Sequence, residues 1–425
     1  MRSSNPLSFL VPILPILLPS FAQDQGSNSS ESSYGQECVQ ALQSAGFTQL
    51  ATVLTQVNDT PPAQALFSEL SSGRNFTLFA PIDQAFQNVS SNVTGNSTLL
   101  AEYLSYHFVQ GEFQNASYTN TSSEGGGGGA GGATSSMSSE TMTSSSETQS
   151  SETSTETASA TTAALWGGLF GRQDQGGGSN SSEGPGPGPH PQPYAGIWQN
   201  VTIGRTLLNS SNLVHLEGNK SQVLVWTRYE QNGNISILNQ PQNVTVVNST
   251  VWRNLFINGV TGVIVPPGNL TAALTAVNAT AAQNLVSTIQ IPAENGTNVT
   301  ALEALESARG ITLFVPNDEA FTSEVNETLS GLQSNQTAQT NLLQNHYING
   351  TSLYSTEITN STQGVTAAGE PLTFSRNETG LFVSGTNGST AQIIRPDVLV
   401  QNGVVHIIDR VFVVESSNPS EAGTA

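Results

Sequence analysis

The sequence predicts an α+β fold that occurs twice along the chain. A ten-residue string, Thr77–Phe86, returns as Thr312–Phe321 with the same spacing of Thr, Leu, Phe, Pro, Asp, Ala and Phe. In both halves, helix-like segments come early and strand-like segments are concentrated later, an order typical of α+β domains rather than of alternating β-α units. Two copies in a chain of 425 residues therefore indicate a duplicated domain.

The first half begins with apolar residues at helical intervals. They predict three helices, over 38–57, 63–70 and 99–107. Between the second and third of these, the repeated string reads as a short buried strand that Pro81 ends, followed directly by a helix that the adjacent Asp can cap. Alternating apolar residues predict later strands at 222–226 and 235–238.

Cys38 is the only cysteine, so no internal disulfide can form. It lies on the apolar face of the first predicted helix, which favours burial, with pairing between chains as the alternative.

A break in composition interrupts the first half. Residues 121–193 contain a glycine run, a stretch over 134–162 made almost entirely of Ser, Thr, Glu, Met and Ala, and a Pro-Gly repeat at 185–189. Such a segment buries too little apolar surface to offset its ordering entropy. The sequence therefore predicts a long disordered Gly/Ser/Thr-rich insert in the first domain.

The second half repeats the order of elements without an insert. Pro266-Pro267-Gly268 marks the boundary between the halves. A helix is predicted around 301–307, the repeated strand begins at Thr312, and a β-branched closing strand is predicted over 404–414.

The start of the chain has the pattern of a secretory leader. Arg2 precedes an apolar run over 7–18 and the small-x-small site Ser20-Phe21-Ala22. The run is too short for a comfortable membrane span, so we expect no stable transmembrane anchor, with an uncleaved anchor as the minor alternative. The predicted organisation is a signal peptide at 1–22, a disordered segment at 23–35, a first domain at 36–268 interrupted by the insert 121–193, a second domain at 269–415, and a tail at 416–425.

The repeated string resembles the first signature motif of the fasciclin (FAS1) domain family. Asn402–Phe412 resembles the second motif, an Asn-Gly turn followed by a β-branched strand. In the first half this motif corresponds to residues 254–267, where Asn258 stands at the His position and Thr261 at the Asp position.

A third motif supports the same resemblance. The family carries a Tyr-His pair after a helix, which matches Tyr106-His107 in the first half and becomes Asn345-His346 in the second. The resemblance implies a tandem of two FAS1 domains, each a β-sandwich or wedge with helices packed around it.

The resemblance also implies a function and a set of binding positions. We expect a secreted, non-catalytic protein for cell adhesion or for association with the cell wall or extracellular matrix, with cell-wall polysaccharide, matrix or cell-surface proteins as partners. The Ser/Thr-rich insert and the acidic balance are similar to those of fungal wall proteins. The positions that match the family's binding or motif residues are Tyr106, His107, His346, Pro396, Asp397, His406 and Asp409.

Two other functions remain open. One is a small-ligand or lipid-binding module that acts at the vacuole or in another compartment of the secretory route. The other is a carbohydrate-active enzyme, because a pair of catalytic carboxylates leaves no linear signature. Local motifs of hydrolases, metalloproteases and phosphate-binding loops do not occur in the sequence, which removes several enzyme classes. Because the family resemblance implies a non-catalytic protein, we expect no enzyme activity, no cofactor and no metal.

The net charge of the chain argues against one class of partner, and its Asn-x-Ser/Thr sequons bear on its route through the cell. The net charge is -20 and Lys220 is the one lysine, so a nucleic-acid backbone would be repelled. About 25 Asn-x-Ser/Thr sequons fit passage through a glycosylating secretory pathway, although a sequence rich in Asn and Thr also generates sequons incidentally. The candidate glycosylation sites are Asn75, Asn115, Asn243, Asn326, Asn377 and Asn387.

Overall fold

The computed structural model describes residues 26–89, 91–113, 201–228, 235–292 and 298–422. The predicted signal peptide 1–22, the predicted insert 121–193 and the candidate glycosylation site Asn115 lie outside these residues.

In its described ranges, the first domain has five α-helices and seven strands. The helices are α1 Gly26–Ser44, α2 Thr48–Val57, α3 Pro61–Ser71, α4 Ser91–Thr94 and α5 Ser97–Tyr106, and the strands are β1 Phe76–Pro81, β2 Phe108–Gln110, β3 Val201–Arg205, β4 Val223–Arg228, β5 Ile235–Ile237, β6 Val244–Trp252 and β7 Leu255–Val260. The segment predicted as one helix over 38–57 is two helices, because the chain reverses at Gly46, where φ is +88°.

The segment 23–35, expected to be disordered, needs a correction. Helix α1 begins at Gly26, inside that segment. Tyr34, on the same helix, is 6% exposed, and its hydroxyl donates to Asn254 Oδ1 at 2.8 Å. A buried aromatic anchor thus fixes this part of α1 on the domain, which composition alone did not indicate.

The second domain repeats this arrangement with an added short hairpin. Its helices are α6 Leu270–Ala276, α7 Thr280–Thr288, α8 Ala301–Ser307, α9 Ser323–Gly331 and α10 Gln336–Gln344, and its strands are β8 Gln290–Pro292, β9 Asn298–Thr300, β10 Ile311–Pro316, β11 Tyr347–Asn349, β12 Gln363–Val365, β13 Pro371–Asn377, β14 Gly380–Ser384, β15 Thr390–Val400 and β16 Gly403–Ile408. The closing strand ends at Ile408 rather than at Val414, because Phe412 leaves the ladder and packs into the core at 1% exposure.

Each domain is built on a seven-stranded sheet with the same strand order. The orders are β2-β1-β7-β6-β5-β4-β3 and β11-β10-β16-β15-β14-β13-β12. The first-motif strand lies parallel to the second-motif strand in both sheets, with Phe79 opposite Asn258 and Phe314 opposite His406. The predicted pair of α+β domains, each mixing helices with a sheet, is therefore confirmed.

Adjacent residues of the first-motif strand serve two hydrophobic cores in each domain. In the first domain, Leu78 packs with the helices, whereas Phe79 packs with Trp226 in the core between the strands. Cys38 lies in the helical core at 0% exposure, as predicted, and burial raises the pKa of its thiol to about 12. Alternation along one strand thus explains why the string Thr-Leu-Phe is apolar on both faces.

The two domains share a further hydrophobic cluster. Its buried members come from β3, β4 and the end of β5 in the first domain and from β15, β16 and the loop after β11 in the second: Val201, Val223, Val225, Leu238, Tyr354, Leu399 and Val404. Hydrogen bonds border it, from Asn239 Nδ2 to the Asp397 carbonyl at 2.7 Å and from Gln222 Nε2 to the Val400 carbonyl at 3.1 Å. The two domains are therefore packed against each other rather than joined by the linker alone.

Candidate functional site

The Tyr-His pair of the first domain is buried at the junction of α5 and β2. The Tyr106 hydroxyl donates to the Val223 carbonyl at 2.9 Å. His107 Nδ1 lies 2.7 Å from the Phe79 carbonyl, and its Nε2 accepts from the Ile264 amide at 3.2 Å. A carbonyl oxygen only accepts, so the proton of the neutral ring is on Nδ1. This histidine joins the first-motif strand to the segment that follows β7.

His346 makes the equivalent hydrogen bonds in the second domain. Its Nε2 accepts from the Phe412 amide at 3.0 Å, and its Nδ1 lies 2.8 Å from the Leu342 carbonyl, one helical turn back. Burial disfavours the charged ring and lowers the pKa of His107 and of His346 to about 4. Both side chains are at most 5% exposed, so each is held inside its own domain as a neutral hydrogen-bonding link.

The second motif of the second domain forms a buried polar group. His406 Nε2 donates to the Leu353 carbonyl at 2.9 Å, and its Nδ1 accepts from the Asp397 amide at 3.3 Å. The Asp397 carboxylate accepts from the Ser355 amide at 2.8 Å and from the Ser355 hydroxyl. Burial lowers the pKa of His406, although the nearby Asp397 charge acts in the opposite direction.

The backbone around Asp397 is unusual. Its φ is +57°, and the pairing of β15 with β16 shifts between Arg395 and Val398, on either side of Pro396 and Asp397. Pro396 has no amide proton to give to a ladder, which suits it to such a bulge. Pro396 and Asp397 are buried, so the bulge aims the Asp397 carboxylate into the domain.

The substitutions in the first domain's second motif preserve part of this arrangement. Asp409 Oδ1 accepts from the Gln392 amide at 2.8 Å, and Thr261 Oγ1 accepts from the Thr245 amide at 3.0 Å, at the same place in the sheet. Asn258 is 2% exposed and accepts from the Ser249 hydroxyl at 2.7 Å. Threonine thus replaces aspartate as the acceptor for the neighbouring strand, without its charge.

The aspartates of the first motif cap helices that lie far away in sequence. Asp83 accepts from the Gln49 amide at 2.9 Å and from the Thr48 hydroxyl, at the start of α2. Asp318 accepts from the Ala281 amide at 2.9 Å, at the start of α7. Neither helix has a capping side chain of its own, so each aspartate satisfies an otherwise free helix amide. These contacts lower the pKa of Asp83.

A small apolar cavity lies at the equivalent place in each domain. In the first domain it is lined by Pro81, Phe86 and His107, among others, and in the second by Pro316, Phe321 and His346. The volumes are about 20 and about 40 Å³. A drug-sized ligand needs a pocket of roughly 300 Å³ or more, so both cavities are far smaller than a ligand pocket.

Five of the six candidate glycosylation asparagines lie in the part of the chain that the structure describes, and all five are exposed: Asn75, Asn243, Asn326, Asn377 and Asn387. Asn377 Oδ1 accepts from the Thr379 hydroxyl at 2.6 Å, and Asn387 Oδ1 accepts from the Ser389 amide at 3.0 Å. In each of these two sequons the asparagine and the third residue are therefore in contact.

Within the described ranges, no three His, Cys, Asp or Glu side chains are grouped closely enough to hold a metal ion. Among the helices of the same ranges, none combines the length and the apolar character that crossing a membrane requires.

Two sheets of one topology, each with a parallel pair of motif strands and a buried motif histidine, define a tandem protein of duplicated α+β domains. The Fasciclin domain model matches residues 45–164 and 273–414, so the chain belongs to the fasciclin domain family and carries two such domains. Members of this family are generally non-catalytic proteins of the adhesion type.

A solved structure described as a FAS1 domain pair from the insect cell adhesion molecule fasciclin I is similar to this chain, at 12% sequence identity and a TM-score of 0.30. The match covers 86% of this chain and 97% of that one. No curated protein sequence matches the chain.

The seven positions that were predicted from the family motifs fall into two groups. Tyr106, His107, His346, Pro396, Asp397 and His406 are buried. Asp409 is at the surface, with a side chain 33% exposed next to Arg410 at 58%. The three motif histidines make their hydrogen bonds within the fold. Sequence reasoning missed the interface between the domains, for which no local pattern gives a signal.

Proposed function

We propose that this chain is a secreted, glycosylated, non-catalytic adhesion protein that associates with the cell wall, the extracellular matrix or neighbouring cell surfaces. The observation that carries the proposal is the pair of fasciclin domains in one chain. Two domains let individually weak contacts act together, because the second binding event becomes intramolecular. Packing of one domain on the other adds to this by fixing the distance between their outer surfaces.

Exposed sequons support the secreted and glycosylated part of the proposal. Asn75, Asn243, Asn326, Asn377 and Asn387 are all accessible to a glycosylating enzyme on the folded domains. A bulky hydrophilic glycan is tolerated only at such surface positions.

We assign the partner contact in the second domain to Asp409 and Arg410. Among the described positions that match the family motifs, only Asp409 has a side chain at the surface. The adjacent Arg410 offers hydrogen-bond donors of opposite charge. Hydroxyl groups of a polysaccharide or polar side chains of a matrix protein can bond to such a pair. The four buried positions of the same domain, His346, Pro396, Asp397 and His406, act indirectly, by fixing the backbone beneath this surface.

In the part of the chain that the structure describes, the small cavities beside His107 and His346 favour adhesion over lipid carriage. A lipid chain does not fit a volume of about 40 Å³ without extensive rearrangement of the apolar side chains around it. Lipid that copurifies with the protein in stoichiometric amount would reverse this preference.

The first experiment is fractionation of tagged protein expressed in its own source cells, into medium, wall extract, cell surface and vacuole. Glycosidase treatment of each fraction reports the carbohydrate mass. Recovery from the wall, the surface or the medium with a large loss of mass on treatment is expected. Recovery from the vacuole overturns the proposal in favour of the intracellular alternative.

The contact residue is tested with Asp409→Thr. Thr261 makes the equivalent backbone hydrogen bond in the first domain, so the variant keeps the acceptor while it loses the charge. Binding of purified protein to wall polysaccharide and to matrix is expected to weaken, with unchanged thermal stability. Thr261→Ser serves as the matched control. Binding that is equal in Asp409→Thr and wild type would remove Asp409 from the contact.

A further inference from the structure

The interface between the two domains joins two different sheet faces. The first domain contributes an apolar face, here called the valine face, which consists of Val201, Ile203, Val223, Val225 and Leu238. The second domain contributes a docking face at the adjoining ends of β15 and β16, where Leu399 lies opposite Val404. Leu399 is 2% exposed and Val404 is fully buried.

The first domain has its own docking face. Strands β6 and β7 hold the same places in the first sheet as β15 and β16 in the second, and Val251 lies opposite Phe256 there as Leu399 lies opposite Val404. Val251 is 58% exposed, whereas Leu399 is 2% exposed. The first domain therefore retains an apolar residue at the docking position with nothing from the described residues covering it.

The second domain has the counterpart of the valine face. Gly204 faces Trp226 in the first domain and Gly364 faces Phe374 in the second, which fixes the equivalence of β3 with β12. Val365, next to Gly364, is 41% exposed. Pro371, opposite Val365 across the ladder, is also exposed.

The exposed large apolar side chains coincide with these two free surfaces. Among the residues that the structure describes, they are Val247 and Val251 on β6 and Val365 on β12. Strands β6 and β12 contain no charged residue. Exposed apolar side chains grouped on a sheet face are a feature of interaction sites.

We propose that a second copy of this chain covers these faces, with β12 and β13 of one molecule docked on β6 and β7 of the next. Within each molecule, the valine face of the first domain packs on the docking face of the second. The proposed contact between molecules has the same geometry, with the two domains in exchanged roles. It is heterologous, joining two different faces, so every added molecule presents a free face for another and the assembly is open-ended. The geometry comes directly from the interface already present in the chain.

The contact between molecules is weaker than the one within them. Gln363 and Thr373 stand where the valine face has Ile203 and Val225, so less apolar surface is buried. The net charge of -20 also opposes association in solution. Assembly is therefore expected at high local concentration, as on a surface that holds many copies.

The test uses sedimentation velocity of the secreted full-length chain over a roughly hundredfold concentration series. Wild type is expected to shift progressively to larger species, beyond a dimer, as concentration rises. Val251→Asp and Val365→Asp each destroy one face and are expected to abolish the shift. Gln333→Asp, an exposed position at the end of α9, is the charge-matched control and is expected to behave as wild type.

A mixture of the two variants distinguishes a heterologous contact from a symmetric one. Each variant retains the face that the other has lost, so equal amounts of Val251→Asp and Val365→Asp are expected to form a dimer and no larger species. A symmetric contact through β6 would instead leave Val365→Asp able to associate alone, and that result overturns the proposal. Wild type that stays monomeric across the series also overturns it.

Discussion

Leu399→Ala probes the contact on which the arrangement of the two domains depends. Leu399 is 2% exposed, and its apolar neighbours include residues from both domains. The substitution removes three buried carbon atoms and leaves a cavity that packed sheets cannot close. Comparable buried leucines lose about 3 kcal/mol of unfolding free energy, the transfer and cavity contributions together. The midpoint of thermal unfolding is then expected to fall by roughly 6 to 12 °C.

Calorimetry in dilute solution measures this effect, and Val251→Ala is the matched control. Val251 holds the equivalent place in the first domain but is 58% exposed, so its truncation is expected to change the unfolding free energy by less than about 0.5 kcal/mol. Wild type is expected to unfold in one transition, and Leu399→Ala to separate the domains into two. Equal small effects of the two substitutions, or two transitions in wild type, would refute a stabilising interface.

Three further predictions concern the motif residues and the glycans. The pKa of His107 and of His346 is about 4 in the folded protein, against an ordinary value of 6.5. As the pH falls, these histidines are therefore protonated in the unfolded chain before they are protonated in the folded one. Their contribution to the unfolding free energy is complete above about pH 6.5 and is lost toward pH 4, by up to about 3 kcal/mol per histidine. His346→Gln, which keeps a donor and an acceptor, is expected to flatten that decline in denaturant titrations, and an unchanged slope would contradict the assignment. Asp318→Ala removes the cap of α7 and is expected to cost about 1 kcal/mol by the same titrations, whereas an effect no larger than that of the exposed Asp59→Ala would show that the cap is dispensable. Asn377→Gln is expected to lower the intact mass of the secreted protein by one N-glycan, and an unchanged mass would show that this sequon is unoccupied.

Local pattern was sufficient for the elements that the motifs encode. The apolar strand that ends at Pro81, the helices at 63–70 and 301–307 and the burial of Cys38 were all predicted correctly. Each depends on neighbours within a few residues, through periodicity, proline geometry or capping. Where the pattern was ambiguous the prediction was less accurate, as for α1, whose polar first turns gave no sign of the Tyr34 anchor.

Only part of the candidate site could be predicted from the sequence. Motif matching identified the histidines, but not that His107 and His346 each hold the segment after the last strand of their domain. The sequence predicted that the aspartate of the repeated string caps the helix that follows it, whereas Asp83 and Asp318 cap α2 and α7. Asp83 reaches an amide 34 residues earlier in the chain, a partner that no local window contains.

The sequence by itself determined that this chain has two copies of one α+β domain and which strands carry their motifs. Duplication, apolar periodicity and turn residues are properties of the linear sequence, so they can be recognised without a structure. The tertiary structure decided which motif residues are buried, which helix each aspartate caps, and that Leu399 is covered while its equivalent Val251 is exposed. Burial and pairing depend on what the fold brings alongside a residue, and that neighbour comes from a distant part of the chain.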